Sequence, residues 1–160
     1  MEPDAEGSVK WLCIARRDYW NNMESSVSLE YLAGIFDGEG SIMLNRMRIG
    51  NMCLTVQLNM ADDRIPKVLH SMFGGTLTIY KYRHYRPQTR WKASVAGAIK
   101  FLELVGPLLI VKSEQAKIGL EFQIRRGQVG RHRTNYTTLL DEMDKEELTN
   151  LNKGLIEKGG

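Results

Sequence analysis

Two carboxylates, Asp37 and Glu39, stand among three glycines, Gly34, Gly38 and Gly40, in the stretch YLAGIFDGEGSI that spans residues 31–42. Carboxylate oxygens are hard ligands, and the chemistry open to them is that of a hard divalent cation. Gly34 and Gly38 are four residues apart and share one helix face, with Ala33 beside them. Small residues there let another helix approach backbone to backbone, so the glycines form a seam. If that helix is the same segment of a second subunit, a twofold axis brings two copies of Glu39 together. Carboxylates that close repel unless one is protonated or a cation sits between them. Two other readings compete for DGEGS. It could be an ordinary turn, since Gly and Asp crowd turns; as a calcium loop it fails the EF-hand spacing.

The elements that must position this cluster follow from periodicity. Ser28 is a plausible N-cap for a helix through Leu29, Leu32, Ile35 and Phe36 that should fail near Gly38, Glu39 and Gly40. Alternation then marks strands over 41–48 and 51–60, joined as a hairpin at 49–51. Residues 61–75 read as a helix begun by Asp62 or Asp63, with Pro66 in its first turn and Gly74-Gly75 as its stop. Strands at 75–82 and 88–95 form a second hairpin around a loop at 83–87. Helices are expected at about 97–105, 113–126 (Ser113 as N-cap, Gly127 as stop) and 135–157. The order αββαββα predicts an α+β fold, an antiparallel sheet with helices packed on one face. The expected organisation is one domain over 28–160 and an N-terminal extension over 1–27, within which residues 11–23 read equally as a short helix or an added arm.

A chain of 160 residues, 42% hydrophobic, suits one globular domain. Cys13 and Cys53 match no metal-ligand spacing, which favours a reduced, intracellular setting, organelle or prokaryotic cytoplasm alike. No run approaches the ~18 apolar residues of a membrane span, and the first residues lack the order of a signal peptide. Net charge is only +3, but it is segregated. Residues 64–102 hold eight Lys or Arg and no acid, and residues 40–61 hold Arg46 and Arg48 and no acid. Such a field suits a polyanionic partner, or else a merely solvated basic face.

Strand alternation assigns faces. Thr89, Trp91, Ala93 and Val95 suit the core, as do Leu77 with Ile79 and Leu54 with Val56 and Leu58. That turns outward Arg90, Lys92 and Ser94; Thr78, Tyr80 and Tyr82; and Cys53, Thr55, Gln57 and Asn59. The first strand is left open, because Ser41, Met43, Asn45 and Met47 oppose Ile42, Leu44, Arg46 and Arg48. An outer face of this composition could read base edges in a major groove, or be an ordinary wet sheet face.

LAGIFDGEG, residues 32–40, resembles the signature of the LAGLIDADG homing endonucleases, with Leu32, Ala33, Gly34, Asp37 and Gly40 identical and Glu39 an acidic variant. VGPLLIVKSEQA, residues 105–116, is similar to the family's later Pro-x-Leu-x-x-Lys-x-x-Gln-Ala segment. FGG before the third strand, Trp91 in the fourth and the αββαββα order also fit, so the resemblance covers about residues 28–127.

The resemblance implies a DNA-binding saddle and a homodimer, because the motif occurs once. It implies Glu39 as metal ligand, with the Gly38 carbonyl as a further one, and a seam of Ala33, Gly34, Asp37 and Gly38. Lys112 would stabilise the reacting phosphate and its waters, and Arg64 would assist; their alternatives are a solvated lysine and an arginine that only positions phosphate. By the same analogy Ser41 and Asn45 face outward. The expected DNA contacts are then Ser41, Asn45, Arg46, Arg48, Thr55, Gln57, Asn59, Thr78, Tyr80, Tyr82, Arg83, Arg86, Arg90, Lys92 and Ser94. Met60 departs from the pattern, standing where a polar, water-organising residue is common. The basic segment 124–133, with Arg125, Arg126, Arg131 and Arg133, reads either as phosphate contacts or as a basic loop. The implied activity is Mg2+-dependent, site-specific hydrolysis of double-stranded DNA at a nearly palindromic site, with Mn2+ or Ca2+ able to occupy the same positions. The alternatives are an intron RNA-binding maturase, a non-cleaving DNA binder and a metal-free structural dimer.

Overall fold

A computed structural model describes residues 27–48, 51–81, 83–129 and 134–154. The 1–26 part of the expected extension, Ile49 and Gly50 of the first hairpin, Tyr82, Arg131, Arg133 and the expected helix end at 155–157 lie outside the described residues.

The first helix, α1 (Leu29–Glu39), is capped by Ser28, whose hydroxyl accepts the Tyr31 N–H at 3.2 Å. It buries Leu32, Ala33 and Phe36 and continues through Gly38 to Glu39. The turn into β1 (Gly40–Arg46) comes immediately after, and it needs glycine there: a Cβ on Gly40 would lie 2.4 Å from the Phe36 ring. The chain goes on through β2 (Met52–Met60), α2 (Arg64–Phe73), β3 (Thr76–Tyr80) and β4 (Gln88–Ser94). Then come α3 (Ala96–Val105), a 3-10 turn (Gly106–Leu108), α4 (Ser113–Val129) and α5 (Asn135–Asn152). The four strands form one antiparallel sheet in the order β1-β2-β4-β3. The α+β expectation holds, with the core between the sheet and the helices on one face.

That core is aromatic at its centre. Trp91 is fully buried, its ring centroid 5.4 Å from Phe101 and 6.3 Å from Phe73, and its Nε1 donates to the Gly74 carbonyl at 2.8 Å. Burial also decides the first strand: Ile42 and Leu44 are in the core, which turns Ser41, Met43 and Asn45 to the other face.

Several local expectations are corrected. Val95 is not a core strand residue; it follows β4 with φ 48°, is 45% exposed and donates its N–H to Leu54. Leu77 and Ile79 lie opposite buried Trp91 and Thr89, on the helix side as expected, yet they are 37% and 63% exposed. They sit on an edge strand beyond the cover of the helices. Ser113 is the first residue of α4 rather than its cap, and its hydroxyl donates back to the Ile110 carbonyl. Gly127 does not stop α4, which runs to Val129. Arg125 and Arg126 turn toward α5: the Arg125 guanidinium bonds Asp141 at 3.1 Å and Asp144 at 2.5 Å, and Arg126 lies 3.9 Å from buried Asp141. They clamp two helices together, so neither expected role of 124–133 describes them.

Replacing Trp91 by Ala should cost about 3–5 kcal/mol of stability, read from urea unfolding at neutral pH. A loss below about 1 kcal/mol would mean that this ring does not organise the core.

Candidate active site and nucleic-acid interface

Asp37 is in the last turn of α1, and its carboxylate reaches a segment far along the chain. Its Oδ2 accepts the N–H of Ile110 at 2.8 Å and of Val111 at 3.2 Å, and its Oδ1 accepts the N–H of Lys112 at 3.0 Å. In return the Lys112 ammonium donates to the Asp37 carbonyl. Partial burial alone would raise the Asp37 pKa, but the N–H groups of Ile110, Lys112 and Val111 and the Lys112 charge outweigh it and hold it below the ordinary 3.8. Burial pushes the Lys112 ammonium down from 10.5, opposed by the negative charges of Asp37 and Glu39. Asp37, Glu39 and Lys112 thus share one electrostatic neighbourhood.

Glu39 itself is exposed and accepts no hydrogen bond among the described residues. It ends α1, where the Gly38 carbonyl belongs to a last turn without intrahelical partners. These are hard oxygen donors at the negative end of a helix, chemistry that fits a divalent cation. Among the described residues, no three of His, Cys, Asp and Glu gather as a metal site.

Among the described residues, nothing covers the glycine positions on the face of α1 leading to Glu39. A Cβ built on Gly34 or Gly38 would meet nothing within 4 Å, and Tyr31 on the same helix is 55% exposed. Ala33 instead is buried in the chain's own core, and Asp37 is committed to residues 110–112. Ile110 and Val111, 81% and 54% exposed, lie beside that helix end and add apolar surface to it.

The β1–β2 register sets Gly40 opposite Leu58, so the end of β2 runs past the α1–β1 junction. Met60, Asp62 and Arg64 line a groove there with Val27, Tyr31 and Ile65. The Arg64 guanidinium is held by Asp62, Nε to Oδ1 at 2.9 Å and Nη2 to Oδ2 at 2.5 Å. That pairing lowers the Asp62 pKa to about 2. Asp62 is a partner that sequence inspection did not assign to Arg64; their separation of two residues was the available signal.

On the outer sheet face, Ser41, Gln57, Lys92 and Thr76 form one cross-strand row and Asn59, Arg90 and Thr78 the next. Thr55 points the same way but is buried, its hydroxyl 3.2 Å from that of exposed Ser94. Asn45 is half-buried at the far end of β1. Arg46 shares the parity of buried Ile42 and Leu44, which puts it on the helix side, where it pairs with Glu142 of α5. Arg48 is exposed in the turn after β1, and Arg83 and Arg86 are exposed between β3 and β4.

The sequence matches no family model and no curated protein. The structure does match solved ones. It is similar to the archaeal intron-encoded homing endonuclease I-Vdi141I complexed with DNA, at TM-score 0.60 and 18% identity over 82% of this chain and 86% of that one. Homing endonuclease I-CvuI, in complex with the I-CreI target in the presence of Mg with the DNA not cleaved, gives TM-score 0.58 at 15% identity over 82% of this chain and 83% of that one. The LAGLIDADG homing endonuclease I-SmaMI, bound to cleaved DNA, gives 0.56 at 18% identity over 81% of this chain and 45% of that one. The chain has the fold of the LAGLIDADG homing endonucleases. No helix among the described residues is long and apolar enough to cross a membrane.

Asp37→Ala should cost about 1–2 kcal/mol at neutral pH, from lost hydrogen bonds to a charged group. Because the folded-state pKa is depressed, this contribution is present above the ordinary 3.8 and is lost as pH falls through the lowered value. Denaturation of both proteins across pH 2–7 checks it (roughly the span over which the carboxylate titrates): the two stability curves should converge at the acid end.

Proposed function

We propose that the chain is a site-specific double-strand DNA endonuclease that works as a homodimer with Mg2+. The observation that carries this reading is the bare glycine face of α1, ending in an exposed Glu39 beside half-buried Lys112. A second α1 laid against that face brings the two Glu39 carboxylates toward one axis and joins the two outer sheet faces into a continuous surface. The motif count adds support: the fold spans 45% of the I-SmaMI chain, leaving room there for two such units, and the LAGIFDGEG stretch occurs once in these 160 residues. A pair of identical chains then reads a nearly palindromic duplex.

In this arrangement the paired Glu39 side chains and the Gly38 carbonyls would hold the cation. When bound, Mg2+ supplies Lewis acidity toward the scissile phosphate and an ionisable water, and Mn2+ or Ca2+ fit the same oxygen donors. The Lys112 ammonium spends one N–H on the Asp37 carbonyl and keeps two for a phosphate oxygen or its waters. Arg64, oriented by Asp62, presents its charge from the groove beside the junction. Ser41, Asn45, Gln57, Asn59, Thr78, Tyr80, Arg90, Lys92 and Ser94 offer donors and acceptors to base edges, while Arg48, Arg83 and Arg86 reach phosphates at the rim.

One observation favours a second reading. Met60 is an apolar side chain in the groove it shares with Arg64, where a polar group would organise water. A non-cleaving nucleic-acid binder, including one directed to intron RNA, would tolerate it.

Incubation of duplex plasmid libraries with the full chain and Mg2+ decides between them. Cleavage at discrete sites is expected, falling about 100-fold or more in Glu39→Gln while gel-shift affinity for the duplex is kept. A wild type as inert as Glu39→Gln would leave the binder, to be tested on structured RNA. Met60→Gln should raise the cleavage rate, and light scattering should give two chains per duplex.

A further inference from the structure

Arg90 stands on the outer sheet face, held from two sides. Its Nε donates to Asn59 Oδ1 at 2.7 Å and its Nη1 donates to the Tyr80 hydroxyl oxygen at 2.8 Å. Its guanidinium carbon lies 4.3 Å from the centre of the Tyr80 ring, a cation–π distance. Three strands contribute one residue each: Asn59 from β2, Arg90 from β4 and Tyr80 from β3. Asn59 is the direct cross-strand partner of Arg90, and Tyr80 is diagonal to it, opposite Gln88. An arginine on an open sheet face ordinarily samples many rotamers. This one has lost that freedom before any ligand arrives, so the ordering cost of a contact is already met by the fold.

The bonding pattern also fixes what the cluster offers. Asn59 commits one lone pair of its Oδ1 to Arg90 and retains the two N–H groups of its amide. Arg90 has five N–H groups and uses two, which leaves three on Nη1 and Nη2, all donors. The unused groups of Arg90 are therefore adjacent donors alone. In a major groove, guanine answers with two adjacent acceptors, O6 and N7, whereas adenine sets its N6 amino group against such a pair and cytosine offers an amino donor.

We propose that the Asn59–Arg90–Tyr80 cluster is a specificity determinant that selects guanine at one position of each half-site. The inference rests on the DNA reading above and adds to it the identity of one base.

Selection of bound duplexes from a randomised pool, followed by sequencing, tests it without any need for cleavage. The full-length wild type should enrich guanine at one position per half-site by about tenfold or more over the other bases. Arg90→Gln should lose that preference there and leave the other selected positions as they were. Tyr80→Phe keeps the ring and removes the hydroxyl acceptor, so the guanine preference should weaken at the same position only. Circular dichroism verifies that both variants are folded. An unchanged base preference in folded Arg90→Gln, or a uniform loss of affinity at all sequences, overturns the inference and makes Arg90 a phosphate contact or a bystander while DNA binding stands. A wild type that enriches no duplex overturns both the DNA reading and this assignment.

Discussion

The clasp between Asp37 and residues 110–112 is the contact against which the rest of the junction is set. Two helix ends of opposite polarity meet there. The C-terminal end of α1, with its partial negative charge, receives the Lys112 ammonium, and the N–H groups entering α4 receive the Asp37 carboxylate. Each end is neutralised by a residue belonging to the other. A charge-assisted bond in both directions holds Lys112 at the place where α1 turns into β1, which is also where Glu39 emerges.

The sheet divides the molecule's tasks by side. Toward the helices it is dry: Ile42, Leu54, Val56, Leu58 and Trp91 are fully buried. The opposite face carries hydroxyls, amides and cations in cross-strand rows, and part of it is already bonded to itself, as at Thr55 with Ser94 and at Asn59 with Arg90 and Tyr80. Self-bonding of this kind restricts what each side chain can offer a partner. Arg125 and Arg126 illustrate the same point elsewhere, since positive charge in the sequence becomes an internal clamp once Asp141 and Asp144 lie opposite.

Much of the fold was legible because two-residue alternation encodes sidedness directly. The second and fourth strands assign their faces correctly from Leu54 to Leu58 and from Thr89 to Ala93. Alternation says which way a side chain points, but not whether anything covers it, and so Leu77 and Ile79 were expected in the core and are exposed at the sheet edge. Nor does it mark where a strand ends: Val95 continues the pattern in sequence while its backbone has already turned to a positive φ. Within the candidate site, the motif residues pointed to Asp37, Glu39 and Lys112, but the clasp itself spans 73–75 residues and leaves no periodic trace. Arg46 stands among the expected DNA contacts, yet its parity matches Ile42 and Leu44, and in the structure it lies on the helix side against Glu142.

The isolation of β3 at the sheet margin bears on how such a surface can change over generations. Neither side of that strand is committed to the packed interior, since Thr76, Leu77, Thr78 and Ile79 are all exposed. Exchanges there forfeit little folding free energy, in contrast to the penalties that large-to-small replacements incur in a packed core. On the proposed reading as a DNA endonuclease, a lineage whose target sequence drifts could therefore follow it by altering the marginal strand first, retuning what it recognises while the α1–β1 junction stays untouched.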